Sequence, residues 1–369
     1  MRSILGVVEM DRAQFFDRRR NKRAAWLFDR LVSNQGSLST VLGDAGRQAA
    51  HRFFAAVEVS PAGILSGHTQ ATADRAQVAC EAEEHLLIMQ DTTDFDYSGH
   101  TKTTGLGAIG MGRSMGRGLH SHGALAVSPN GLPIGVVDLA IWARPSPDKN
   151  QTKADRHKLN KSKPTDQKES KKWLECIDRV QAKMPPDLKL LFIQDREADM
   201  FDLFTQARRP GAELLVRAAQ PRIVEIISGT EDAISNVFHA ARAATLLGCV
   251  SIEVTANPTR KARTARVEVR ACPARLRAPM FRTASLDRTP RAVWLISAKE
   301  VNPPEGSTPL DWTLISTIPA PTFDDARRLI NYYSRRWLIE RLHFVLKSGL
   351  NAEGLRMDDA HSISNATDL

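Results

Sequence analysis

The chain has little cysteine, few aromatics and no long apolar run, and each shortage removes a class of protein. Its four cysteines, Cys80, Cys176, Cys249 and Cys272, are scattered through 369 residues without a CxxC pair. That spacing argues against a zinc site or a disulfide scaffold and suits a reducing cytoplasm. No uninterrupted stretch reaches the about 18 apolar residues of a membrane span. The opening MRSILGVVEMDRAQ has too short an apolar stretch for a secretory signal. With 42% hydrophobic and 25% charged residues the chain falls among ordinary globular proteins. Its length allows two or three domains and at least one large core.

What is present is uneven positive charge. The formal net charge is +9, and two segments carry more than all of it. Lys149 to Lys172 holds nine Lys/Arg against Asp155, Asp166 and Glu169, a net of +6. Arg12 to Arg30 holds seven against Asp17 and Asp29, a net of +5. Two basic clusters on a mildly acidic body fit a polyanion partner, with solvated surface segments as the alternative. Neither has the apolar face of a membrane-surface helix, so no membrane partner is expected.

Residues 1 to about 75 read as helical. The run RRRNKR, containing Arg18, Arg19, Arg20, Lys22 and Arg23, leads into AAWLFDRLV with Trp26, Leu27, Leu31 and Val32 at helical spacing. Ser60-Pro61 reads as an N-cap with proline in the first turn. Such a bundle suits either a DNA-contacting module or a plain cap on the next domain.

At His85 the pattern changes to a strand, HLLIMQ, running into Asp91 of DTTDFDYSG. GLGAIGMGRSMGRG follows and contains GxGxxG at Gly105, Gly107 and Gly110. It does not follow a strand directly or open a clean helix, so a loop is expected rather than a dinucleotide site. His120 and His122, as HSH before a strand, read as incidental. GALAV and IGVVDLAIW are strands joined by an Asn130-Gly131 turn. The basic segment from Lys149 reads as a mobile loop, and ESKKWLECIDRVQAKM as an amphipathic helix stopped by Pro185-Pro186. LKLLFIQ is a buried strand running into Asp195, which repeats the strand–glutamine–aspartate order of Asp91. From Ile223 to Leu310 the helical signal fades into strand-like VSIEVTA, ARVEVRA and AVWLISAKEV. DWTLIS adds one more strand, with Trp312 near its start.

One long helix is predicted over Thr322–Leu350, capped by Thr322, and HSISNATDL after it reads as a frayed end. Tyr333, Arg336, Glu340 and Lys347 lie at offsets of zero, three, seven and fourteen, within roughly 60° of one another on an α-helix. The alternative is a solvated charged face, in which the Arg336–Glu340 pair contributes a few tenths of a kcal/mol. Asp91, Asp195 and Glu340 converging at one site would suit hard divalent ions, because carboxylates without His or Cys favour magnesium or manganese. Two such ions clamp an in-line phosphoryl transfer.

YYSRRWLIERLHFVLK matches the Y-(2)-R-(3)-E-(6)-K signature of bacterial insertion-sequence DDE transposases of the IS-four family. DTTDFDYS and DREADMF resemble that family's two aspartate blocks, and EVNPPEGSTPLDW its approach to the last helix. With gaps, the resemblance runs from about Phe16 to Asp359. It implies an α/β fold: a ribonuclease-H-like catalytic core with a β-rich insertion and an N-terminal helical DNA-binding region. The expected divisions are 1–78 helical, 79–222 first part of the core, 223–311 insertion and 312–369 second part with the glutamate helix.

The resemblance also implies that Asp91, Asp195 and Glu340 are catalytic and hold two Mg2+ ions, Mn2+ substituting. Arg336 and Lys347 would contact transposon-end phosphates, Tyr333 the terminal strand, Trp312 an extruded base and Arg217 the end. The implied partners are double-stranded DNA, as inverted-repeat ends and target, and a second copy in a synaptic homodimer. The implied location is the bacterial cytoplasm, nucleoid-associated when on DNA. Two departures accompany it. Phe344 stands where a relative has lysine, and the chain stops soon after Met357, where relatives continue through dimer-forming helices. A truncated DNA-binding remnant that inhibits transposition is therefore the alternative expectation.

Overall fold

A computed structural model describes the chain except residues 1–4, 11, 16, 35–37, 82, 111–115, 146–151, 153–158, 160–162, 228–232, 257–260 and 281–286. Most of the basic loop expected from Lys149, and the middle of the glycine-rich stretch, therefore lie outside the described residues. The chain is mixed α/β and divides into two compact units. The first comprises Met1–Lys163, Asp178–Leu188 and Leu338–Leu369, the second Pro164–Ile177 and Lys189–Trp337. No helix among the described residues is long and apolar enough to cross a membrane.

The first unit opens with α1 (Leu5–Met10), α2 (Arg18–Ser33), α3 (Leu38–Phe54) and α4 (Pro61–Ala79). Ser60 caps α4 as expected, its Oγ accepting from Gly63 N at 3.1 Å, a contact usually worth about 1 kcal/mol. Four strands follow: β1 (His85–Asp96), β2 (Gly107–Ile109), β3 (Gly116–Val127) and β4 (Pro133–Trp142). β3 pairs antiparallel with β1 from Leu87↔Val127 to Asp96↔Gly118. β2 and β4 pair along the other edge of β3. α4 lies close on β4, because a Cβ at Gly135 would sit 2.1 Å from Thr72 Oγ1. Arg75 Nε also donates to Ile134 O at 3.1 Å. Met10, Phe15, Leu27, Phe54, Phe95, Tyr97 and Ile363 share one buried core.

In the second unit β5 (Lys189–Gln194) pairs in parallel with β6 (Ala212–Arg217). β6 pairs antiparallel with β12 (Asp311–Ser316), and β12 with β11 (Arg291–Glu300). β11 pairs with β10 (Arg263–Leu276), which also takes β7 (Ile223–Ile226) and β9 (Leu246–Val254); β7 pairs with β8 (Ala233–Asn236). The sheet of this unit is therefore mixed. The fading helical signal after Ile223 is matched by these strands, with a short helix among them (Val237–Ala243). Numbered in chain order, the helices after α4 are α5 (Lys171–Lys183), α6 (Phe201–Thr205) and α7 (Val237–Ala243). α8 (Phe323–Ser334), α9 (Trp337–Phe344) and α10 (Ala360–Asp368) complete the set among the described residues. α8 begins with a full capping box in which Thr322 Oγ1 accepts from Asp325 N at 3.2 Å.

Four expectations change. β1 does not end at Asp91 but continues through Asp96, because DTTDFD finds a full antiparallel partner in the first half of β3. Asp91 is thus a mid-strand residue opposite Gly123. The helix predicted over Thr322–Leu350 is three pieces. Arg335 N and Arg336 N bond back only three residues, to Tyr332 O at 3.2 Å and Tyr333 O at 3.0 Å, and this tight turn separates α8 from α9. After Phe344 the chain passes into a π-helical turn, Val345–Gly349, with Leu350 N donating to Val345 O at 2.8 Å.

The last stretch is not frayed. α10 is capped by Asp359 and buries Ser362, Ile363, Asn365 and Thr367. Its Asn365 Nδ2 donates to Phe54 O at 2.8 Å and Val59 O at 3.0 Å. Finally, His120 and His122 do not precede a strand but lie buried within β3. His120 Nδ1 bonds Asp94 Oδ1 at 2.5 Å, and His122 Nδ1 bonds Thr92 Oγ1 at 2.9 Å.

Candidate functional site

In the second unit the chain brings together residues from four separate stretches. Asp195 directly follows β5, as the strand-then-aspartate pattern predicts, and caps a 3-10 turn by accepting from Glu197 N at 2.8 Å. That turn is tied down where Lys172 Nζ meets Glu197 Oε1 at 2.7 Å. Arg217 is the last residue of β6, and its Nη2 donates to Asp311 O at 3.1 Å. Trp312, next along β12, meets Tyr333 of α8 edge to face, with ring centroids 5.1 Å apart. Tyr333 is 4% exposed.

The electrostatics tie the same residues together. Burial pushes the Tyr333 hydroxyl above its ordinary value; Arg336 and Arg217 oppose the shift and Asp195 reinforces it. Burial likewise pulls the Arg217 guanidinium down, with Tyr333 opposing. Asp195, Arg217, Trp312, Tyr333 and Arg336 thus form one neighbourhood centred on a buried phenol. Tyr333 points inward because it closes the buried face of α8, which runs through Ala326, Leu329 and Ile330.

One supporting residue was not singled out from the sequence. Asp199, four residues after Asp195, has a fully buried side chain. Its Oδ2 accepts from Ala219 N at 2.7 Å and Gln220 N at 2.8 Å, and its Oδ1 pairs with Arg222 Nε. Arg222 also donates to the Asp199 carbonyl. One carboxylate therefore holds the loop that leaves β6 immediately after Arg217. The second aspartate of DREADMF was the available signal, but its role depends on a loop twenty residues further on.

The first unit holds the other two candidate carboxylates. Asp91 is half-buried in β1, with Oδ2 3.9 Å from His343 Nδ1 on α9. Glu340 lies one turn before His343 on the same helix and is exposed. His343 was also missed; its only signal was its place three residues after Glu340. Lys347, in the π-helical turn, sits over the Phe95 ring at 5.8 Å and lies 3.9 Å from Glu353 Oε1. Glu353 in turn accepts from Asp96 N at 2.9 Å. Hydrogen bonds from Ser98, aided by Lys347, hold the Asp96 carboxyl below its ordinary value. The α2 cations are mostly open to solvent: Arg18, Arg19, Lys22 and Arg23 are exposed, while Arg20 pairs with Glu58 at 3.0 Å. Arg23 and Arg30 lie against the Trp26 ring at 5.4 and 5.9 Å.

The three candidate carboxylates divide between the units, Asp91 and Glu340 in the first and Asp195 in the second. Among the described residues no group of three or more His, Cys, Asp or Glu side chains is gathered as a metal cage. The donor chemistry is nonetheless all-oxygen, which matches hard divalent cations and not zinc. No known protein-family profile matches the chain.

Proposed function

We propose that this chain is a DNA transposase of the DDE type. It would cut at the inverted-repeat ends of a mobile element by divalent-metal-dependent phosphoryl transfer and join the freed 3′ hydroxyl to target DNA. The observation that carries the reading is the neighbourhood around Tyr333. Asp195, Arg217, Trp312 and Arg336 come from stretches far apart in sequence, yet they surround a single phenol. The antiparallel strands β1, β3 and β4 of the first unit and the parallel pair β5–β6 of the second each support a ribonuclease-H-like core interrupted by the strands β7 to β11.

In this reading Asp91, Asp195 and Glu340 would hold magnesium or manganese. Bound ions would neutralise charge on the phosphoryl oxygens and activate the attacking oxygen. The remaining roles belong to the chain itself. Arg217 and Arg336 offer guanidiniums to phosphate oxygens, and Arg217 is oriented by its bond to Asp311 O. Lys347 adds a point charge on the first unit. Trp312 presents an indole beside Tyr333 on which an unpaired base would stack. Arg18, Arg19, Lys22 and Arg23, exposed on one helix, would hold duplex backbone without reading sequence. A second copy would supply the paired complex that end-joining requires.

The test is Mg2+-dependent nicking of duplexes that carry the DNA flanking the gene, including any inverted repeat found there. Glu340→Ala is expected to lower nicking by about 10³-fold or more while leaving a gel shift on the same DNA. Unchanged nicking would remove Glu340 from the mechanism. Binding by the wild-type chain without nicking would instead make it a non-catalytic DNA-binding protein.

A further inference from the structure

The exposed side of α9 carries an aromatic residue, Phe344, that is half open to solvent. α9 buries Ile339 and His343 and leaves Glu340, Arg341 and Phe344 open, with Val345 following. Phe344 is 53% exposed. The Arg341 guanidinium lies 5.0 Å from its ring centroid, a cation–π contact that braces the ring from one side. Phe344 stands four residues after Glu340, one turn further along the same side of the helix. Keeping a phenyl ring half in water costs free energy in proportion to its apolar area. Burial in this chain's own core therefore does not account for the ring at this position.

We propose that Phe344, braced by Arg341, is a stacking platform for an unpaired base of the DNA strand engaged at Glu340; the inference rests on the nucleic-acid reading above. Aromatic rings interleaved with cations are the means by which proteins hold single strands. The rings take the π-faces of bases and the cations take the backbone. Arg341 here, and Lys347 a turn further on, supply the positive charge a polyanion needs. A protein partner would require a larger contiguous apolar face than Phe344, Val345 and Leu350 present, whereas a ring flanked by Arg341 and Lys347 matches one base. The platform would favour frayed or tailed ends over fully paired duplex.

The experiment uses the full chain and two fluorescent hairpin duplexes, one blunt and one with an oligothymidine tail of about eight nucleotides containing 2-aminopurine. Anisotropy reports affinity, and 2-aminopurine quenching reports stacking in particular. The wild-type protein is expected to prefer the tailed probe and quench its 2-aminopurine. Phe344→Ala should lose the quenching and about tenfold of the preference, and Phe344→Trp should restore both. Since Phe344 is exposed, these variants leave the core unchanged. Wild-type quenching and preference retained by Phe344→Ala would overturn the platform while leaving a nicking transposase intact. No wild-type binding to either probe, and no nicking of inverted-repeat DNA, would overturn the DNA reading along with it.

Discussion

Replacing Asp199 by alanine tests whether a single carboxylate holds the loop that follows Arg217. The wild-type side chain accepts two backbone amides at 2.7 and 2.8 Å and pairs with Arg222, the two side chains being 0% and 12% exposed. Removing one partner of a buried ion pair costs about 3–5 kcal/mol, because the other charge stays buried. Each orphaned amide costs a further ~1–3 kcal/mol unless water reaches it. Arg222 is near enough to the surface to swing out, and water can follow it, so the net cost of local opening falls near the lower figure, ~3 kcal/mol. At 1.4 kcal/mol per decade that is about a hundredfold. Hydrogen exchange followed by mass spectrometry on a peptide spanning Arg217–Arg222 should show the Ala219 and Gln220 amides exchanging about a hundredfold faster in Asp199→Ala. Asp199→Asn retains one acceptor oxygen and should fall between the two. Exchange within about threefold of wild type in the alanine variant would refute the clamp on the loop that follows Arg217.

Two further predictions concern the first unit, and the nicking and stacking tests above complete the set. Burial works against ionisation of Asp138, but Arg179, through three hydrogen bonds, and Lys183 outweigh it and hold the carboxyl below its ordinary value. That stabilisation is present above the unfolded carboxylate value of about 3.9 and is lost as pH falls through the lower folded value. Asp368 is the opposite case: burial, reinforced by Asp138, raises its carboxyl, with Lys183 opposing. Its contribution is therefore complete in acid and is lost as pH rises toward the raised folded value. In thermal melts across pH, Asp138→Asn should lose stability against wild type mainly above about pH 4. Asp368→Asn should gain stability toward neutral pH, and differences independent of pH would contradict both. Asn365→Ala removes the bonds to Phe54 O and Val59 O and should cost about 2–3 kcal/mol. It should also speed limited proteolysis within α10, and an unchanged cleavage rate would mean that α10 is held by its apolar contacts alone.

How much was legible follows from how local each signal was. Thr322 and Ser60 were read correctly as caps because a capping hydroxyl and its amide lie within one turn. Asp195 was placed at a strand end because an apolar run of strand length stops beside it. Asp91 was placed there too, and wrongly. The polar half of β1 reads as a loop until β3 is known to pair with it residue by residue. HSISNATDL looks frayed by composition, having one isoleucine among small polar residues. Its order comes from Asn365 bonding to carbonyls more than 300 residues away.

The stretch from Tyr333 to Lys347 shows the division most clearly. Residue types and spacing alone put a phenol, a guanidinium, a carboxylate and an ammonium in one helical region of a chain that also carries two strand-then-aspartate blocks. That was enough to point to phosphoryl chemistry on a polyanion. Whether those groups share a face was decided only in three dimensions. The turn at Arg335–Arg336 and the π-helical turn at Val345 break the 100° progression on which the spacing argument relied. Tyr333, on the buried face of α8, turns inward to Trp312, while Glu340 on α9 is exposed one turn from His343. A helical period can be read from the chain, but breaks in it depend on packing partners that are remote in sequence.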